Sequence, residues 1–318
     1  MKVALRHWTL AWAIAATVLL AISLRWPDMG QEIVGSAAGP LARTLGPEAA
    51  EAQTSAAPAK LEWLGWQFFR VTSPRGKIIL FDPALNDPRG LFRNQESPLT
   101  LEDIDAADLI LATDGHADDQ GMTVEIAKKT GATVVTTFEL ATWMVGRGVD
   151  SNKILRAEPG GRVEFQGIKI QVVISVHGSG APSLPGQGAA VYGGPAVGFV
   201  VTLENGVRIY HAGSTALTQD LMLYGRLYKP HVALLPIASG MFADEAAIAA
   251  EFLKTGNPNL HSVFPQHHAS FLPPANQGRT FVEEVRARPA LRGRVTAYEP
   301  KPGQAYYVSV RGTIPVTR

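Results

Sequence analysis

The chemistry of this chain is concentrated in ten consecutive residues, Ala112-Thr113-Asp114-Gly115-His116-Ala117-Asp118-Asp119-Gln120-Gly121. Three carboxylates and one imidazole fall between Asp114 and Asp119. Asp114 and His116 are two apart, so at a strand end their side chains leave on one side. Asp118 and Asp119 follow on the turn. Carboxylates this close disfavour one another's ionised form. A bound cation relieves that conflict, and so does full hydration. The first solution is a divalent-metal site. The second is a solvated acidic turn with a helix cap. The stretch alone leaves both open.

The flanking residues position this stretch. The apolar run Ala107-Asp108-Leu109-Ile110-Leu111 reads as a buried strand, and Met122 to Lys129 reads as a helix. The acidic stretch is therefore a strand-to-helix loop, a usual location for functional side chains. Other chemically capable residues stand at the ends of further strand-like runs: Asp82 after Lys77–Phe81, His177 after Ile168–Val176, Ser214 after Val207–His211, and His267 after Leu260–Phe264. Each has a plain alternative. Asp82 beside Pro83 is either a turn cap or a group supporting a metal ligand. A lone histidine at a strand end is commonly structural. Strand ends on one edge of a sandwich can nevertheless converge on a single site.

The chain has 318 residues, 46% of them hydrophobic and 18% charged, which suffices for a large core. Its net charge of +1 gives no sign of a nucleic-acid partner. It contains no cysteine, which excludes disulfides and thiolate zinc sites. Lys2 and Arg6 precede an apolar run from Trp8 to Leu24 that ends at Arg25. Residues 1–25 therefore read as an uncleaved membrane anchor or a signal segment. The basic residues ahead of the run favour an exported body, inner-membrane-anchored or periplasmic. Residues 26–60, rich in Ala, Pro, Gly and Ser, read as a flexible linker, and the folded domain is expected over 61–318.

Within that domain the pattern predicts an α/β fold. Strands are expected at 61–66, 68–71 and 77–81. Helices at 121–130 and 138–147 flank a strand at 133–137. Short strands follow at 153–157, 162–165 and 168–176. Residues 178–195 form a Gly- and Pro-rich loop of the length used for lids and binding loops. A hairpin with an Asn205-Gly206 turn joins 197–203 to 207–211. A helix over 216–227, a strand at 231–236, a helix over 244–255 capped by Asp244, a strand at 260–264, a helix over 277–288 and two C-terminal strands complete the chain. Glu139 reads as a first-turn acid, and His211 as a buried hydrogen-bonding residue. His7, His231 and His261 read as structural or surface groups.

The segment from Leu61 to about Phe271 resembles the metallo-β-lactamase superfamily. More narrowly, it is similar to a branch of uncharacterised metal-dependent hydrolases related to ascorbate-6-phosphate lactonases. The matching text includes Glu62-Trp63-Leu64-Gly65, Phe81-Asp82-Pro83, the run Val124 to Val135, Ile209-Tyr210-His211-Ala212-Gly213, Leu227-Tyr228-Lys229-Pro230 and Leu234-Leu235-Pro236-Ile237. The resemblance implies an αββα sandwich, two mixed β-sheets flanked by helices, with a two-metal site on one edge. The family's His-x-His-x-Asp-His becomes Asp114-Gly115-His116-Ala117-Asp118-Asp119. The later histidines are kept as His177 and His267. The bridging aspartate of the family is Ser214, His268 stands in place of a usual aromatic, and Trp66 stands where the family carries a histidine.

The resemblance thus implies one ion held by Asp114, His116 and His177, and another by Asp118, Asp119 and His267. Asp82, Ser214 and His268 would support the ligands or touch substrate. Three carboxylates with no bridging one move the site toward harder cations. One or two ions are expected, with Zn, Mn or Fe as candidates. The expected activity is hydrolysis of a small-molecule lactone, ester or phosphoester by a metal-activated water, with Asp118 orienting that water. One alternative is a degenerate, non-catalytic homologue that binds a ligand in the same cleft. Another is a membrane-tethered interaction module with a relic site.

Overall fold

The computed structural model describes residues 57–88, 90–183, 188–268 and 276–317. The expected anchor at 1–25 and all but the end of the linker at 26–60 lie outside the described residues. Among the described residues no helix is long and apolar enough to cross a membrane.

The chain begins with β1 (Ala59–Trp63), β2 (Phe69–Thr72), β3 (Ile78–Phe81) and β4 (Leu109–Leu111). Helix α1 (Thr123–Thr130), β5 (Thr133–Thr136), α2 (Phe138–Val145) and β6 (Ile154–Arg156) follow. Next come β7 (Arg162–Phe165), β8 (Ile168–Ile174), a small ribbon of β9 (Gly180–Ala181) and β10 (Val191–Tyr192), β11 (Val197–Thr202) and β12 (Arg208–His211). Helix α3 (Asp220–Tyr228) leads to β13 (Val232–Pro236) and a second ribbon, β14 (Ala238–Ser239) with β15 (Met241–Phe242). The remainder is α4 (Ala243–Lys254), β16 (Ser262–Gln266), α5 (Gln277–Ala287), β17 (Thr296–Ala297), β18 (Ala305–Ser309) and β19 (Gly312–Pro315).

Two mixed sheets result. The first runs β19-β18-β1-β2-β3-β4-β5-β6 and the second β17-β16-β13-β12-β11-β8-β7. Their inner faces meet in one core, with Phe69, Ile79 and Leu111 on one side and Val172, Phe199 and Leu234 on the other. Alternation along each strand sends the intervening residues outward. Leu80, Ile110 and Val134 pack with Ile126 of α1 and Leu140 and Met144 of α2. Ala233 and Leu235 pack under Ala246 and Ala250 of α4 and Phe281 of α5. Strands buried on both faces read as continuous apolar runs. That explains why 109–111 and 232–235 were legible as strands.

The topology fixes where side chains can converge. Strands β3, β4, β5 and β6 are parallel, as are β12, β13 and β16. Strand β8 is antiparallel to β11, which is antiparallel to β12, so β8 runs with β12. The loops carrying Asp82, Asp114 to Asp119, His177, Ser214 and His267 therefore all leave C-terminal strand ends. Crevices outside the carboxyl ends of such strands are where α/β sheets place their ligands.

Several boundaries differ from expectation. Helix α3 starts at Asp220 rather than Ala216. Asp244 is not the cap of α4. Phe242 holds that position, its backbone N–H donating to Glu245 Oε2 at 3.1 Å, and Asp244 lies in the first turn, where the helix dipole favours it. The C-terminal strands β18 and β19 join the first sheet beside β1.

Candidate metal centre

The acidic loop is anchored from below by Asp82. This residue is fully buried and adopts φ +41. Its carboxylate accepts the Thr113 backbone N–H and hydroxyl, each at 2.8 Å, and lies 2.8 Å from His211 Nε2. Asp82 is thus more than a turn cap: it ties β3 to the start of the loop and to β12. The loop closes at Gly121, φ +51, where a Cβ would stand 2.3 Å from the Pro83 carbonyl oxygen. Only glycine fits that approach.

Two triplets form above this floor. Asp114, His116 and His177 offer ligand atoms that lie within 4.8 Å of one another, and Asp118, Asp119 and His267 do the same. These are the two sets anticipated from the resemblance. The rings of His116 and His177 meet edge-on at 5.1 Å. His116 Nδ1 stands 3.3 Å from Asp114 Oδ1 and 3.8 Å from Asp119 Oδ2, so His116 faces both triplets. His267 Nε2 lies 3.1 Å from Asp118 Oδ2. Ser214 donates to Asp119 Oδ1 at 2.8 Å. It therefore supports Asp119 from the place where the resemblance puts a bridging carboxylate.

Electrostatics divide the carboxylates. Burial, together with the neighbouring aspartates, pushes Asp114 and Asp119 well above the usual carboxylate range. Burial also acts on Asp118 in that direction. It is outweighed by the hydrogen bond and charge of His267 and the hydrogen bond from Trp66, which hold Asp118 at about 2. His177 is lowered by burial first and then by His116 and His267.

These residues fit a divalent cation. Asp114 Oδ2 and Asp119 Oδ2 are buried without a hydrogen-bond donor. A buried carboxylate oxygen without a partner is costly, and a cation is the ligand that satisfies several such oxygens at once. Three carboxylates and three imidazoles form a mixed oxygen and nitrogen donor set compatible with first-row divalent metals.

His268 does not reach this cluster as a ligand. It is buried, stacked on Trp63 with ring centroids 4.8 Å apart and planes 6° from parallel, and burial lowers it to about 4. Its ring makes a packing contact with β1 through Trp63. Trp66, which in the sequence stands out only as a departure from the family, donates its indole N–H to Asp118 Oδ2 at 3.0 Å. Nothing in the sequence pairs Asp82 with His211. The Phe81-Asp82-Pro83 motif and the buried position of His211 were the available signals for each alone.

Comparison with known proteins shows the family and agrees with the fold. The Beta-lactamase superfamily domain matches residues 77–281. A UPF0173 metal-dependent hydrolase of Methanopyrus kandleri is 36% identical over 249 residues, 78% of this chain and 99% of that protein. A UPF0173 metal-dependent hydrolase of Rubrobacter xylanophilus is 36% identical over 214 residues, 67% of this chain and 82% of its own length. Among solved structures, a metallo hydrolase of Ignicoccus hospitalis superposes with a TM-score of 0.62 at 25% identity, covering 82% of this chain and 99% of that one. The chain is accordingly a member of the metallo-β-lactamase superfamily and, within it, of the UPF0173 metal-dependent hydrolases.

Proposed function

We propose that the two triplets hold one or two divalent cations, with Mn, Fe and Zn as candidates, and that the centre hydrolyses a small-molecule lactone, ester or phosphoester. The observation that carries this reading is the pair of triplets with their unpartnered buried oxygens. A bound cation would supply Lewis acidity, acidifying a water and polarising the substrate's acceptor oxygen.

The chain's own groups do the rest. Asp118, ionised down to about pH 2, is a weak base at neutral pH. Its part is to orient the attacking water by accepting a hydrogen bond. His116, facing both triplets, holds the two halves of the site in register. Asp82 fixes the loop through Thr113. A shallow surface pocket of about 500 Å³ is lined by Phe138, Glu139, Thr142, Trp143, Val191 and Tyr192. It adjoins the loop through Gly193, where a Cβ would stand 3.1 Å from the Gly115 Cα.

The test is metal analysis of the full chain purified without chelators, followed by a panel of lactones, esters and phosphoesters with Mn, Fe, Zn or Mg added. Metal binding with turnover supports the reading. Metal binding without turnover on any class favours the second reading, a non-catalytic ligand-binding homologue, which the serine at position 214 favours. The N-terminal pattern of Lys2, Arg6 and the apolar run supports membrane attachment and export of the body. Fractionation of a full-length reporter fusion tests it, and a wholly soluble cytoplasmic reporter counts against it.

A further inference from the structure

We infer that Trp66 is a positioning residue of the metal centre, fixing both Asp118 and His267 from a single backbone position. The inference rests on the metal-centre reading above.

Trp66 lies in the tight connection between β1 and β2, where Leu64 N–H donates to the Phe68 carbonyl at 2.8 Å and Phe68 N–H to the Gly65 carbonyl at 3.0 Å. Three separate interactions bind Trp66 to the site. Its indole N–H donates to Asp118 Oδ2 at 3.0 Å. Its carbonyl accepts the backbone N–H of His267 at 3.1 Å. Its ring packs against the His267 imidazole at 5.1 Å, with Phe92 behind it at 5.4 Å. The same carbonyl accepts the Trp63 indole N–H at 2.8 Å, which pins the peptide.

The backbone is specialised to match. Trp66 adopts φ 55 and His267 φ 55, left-handed values uncommon for side chains of this size. Such conformations persist where the surroundings over-determine them, and they gather at functional sites. Here the two left-handed residues are hydrogen-bonded to each other.

The chemistry of the indole is one-sided: it donates, never accepts and does not ligate a cation. It therefore gives Asp118 Oδ2, which His267 Nε2 also approaches at 3.1 Å, a neutral donor, and sets the carboxylate's orientation without competing for the ion. Outer partners of metal ligands act in this way, and their loss typically weakens metal binding about 10- to 100-fold.

The experiment titrates the full chain, stripped of metal with chelator and dialysed, with MnCl2 and separately ZnCl2 by calorimetry. Thermal melts of the metal-free proteins run alongside. Trp66→Phe keeps the ring and removes the donor; Trp66→Gln keeps an N–H donor and removes the ring. The expected result is about a tenfold or greater loss of affinity in Trp66→Phe, with affinity in Trp66→Gln between that variant and the native protein. A folded Trp66→Phe protein that binds both metals as tightly as the native chain overturns the inference while leaving the metal centre standing. If Trp66→Phe does not melt cooperatively, Trp66→Gln decides, and affinity no different from native in that ringless variant counts against the indole's role. A native chain that binds neither metal removes the metal centre and this inference together.

Discussion

Ser214 Oγ donates a 2.8 Å hydrogen bond to Asp119 Oδ1, and both side chains are almost wholly buried. A neutral donor thus stands beside a carboxylate that its neighbours already discourage from ionising. Ser214→Asp replaces that donor with an acceptor. In metal-free protein at pH 8 it should cost on the order of 1–3 kcal/mol, because a buried group loses its partner and gains a like charge. With Mn2+ present the added carboxylate should tighten binding. Thermal melts with and without Mn2+ measure both effects, and unchanged melting in both conditions contradicts the placement of Ser214 at the centre.

His116 makes a second comparison possible. It stands 3.3 Å from Asp114 and 3.8 Å from Asp119, so its loss touches both triplets, whereas Asp114 belongs to one. His116→Ala should lower metal content at least as much as Asp114→Ala, measured on protein purified without chelators. Full occupancy in His116→Ala would remove the central residue from the site.

The pH dependence has opposite signs at two places. Asp114 and Asp119 are raised above their ordinary value of 3.8, chiefly by burial. The native state therefore holds protons that the unfolded chain has released, and its stability contribution is lost as pH rises through the raised values. A divalent cation replaces those protons, so the stabilisation given by Mn2+ should grow with pH. His231, away from the centre, is lowered from 6.5 to about 4 by burial and then by Arg208 and His261. Its contribution is present above pH 6.5 and lost as pH falls toward 4. His231→Gln, which can still accept the Arg208 backbone N–H, should flatten that acid limb by on the order of 2 kcal/mol. Urea unfolding from pH 4.5 to 8.5 reads both. A Mn2+ effect that shrinks with rising pH contradicts the first assignment, and an acid limb unchanged in His231→Gln contradicts the second.

Much of the architecture was legible because strands such as 109–111 and 232–235 are buried on both faces and carry no competing helical period. Both candidate triplets were named through the resemblance, and they assemble because the acidic loop, His177 and His267 all follow C-terminal ends of strands that run in one direction within each sheet. What the sequence hid depends on backbone conformations that side-chain patterns do not encode. Trp66 and His267 meet because both adopt φ 55, and position 66 reads locally as the end of an apolar strand. Asp82 and His211 are 129 positions apart and were each assigned a role alone. The start of α3 was placed too early because Ala216 to Gln219 carry no cap or breaker strong enough to mark Asp220.

The Asp82–His211 pair also separates scaffold from ligand. Asp82 Oδ2 sits 2.8 Å from His211 Nε2, both side chains are fully inaccessible, and Thr113 contributes two more hydrogen bonds to the same carboxylate. Asp82→Ala strands three donors and leaves alanine at φ +41, which favours glycine. Leaving a buried hydrogen-bonding group without its partner costs about 1–3 kcal/mol, and three such groups lose theirs here. That should lower Tm by on the order of 10 °C. Asp82→Asn keeps an acceptor oxygen and tolerates the left-handed backbone, so its loss should be smaller. Because Asp82 holds Thr113 and thereby the entry to the acidic loop, both variants should also weaken Mn2+ binding about tenfold or more. Calorimetric titration and melts on the same samples distinguish the outcomes. A destabilised Asp82→Asn that binds Mn2+ at native affinity would confine Asp82 to the fold and break its link to the centre.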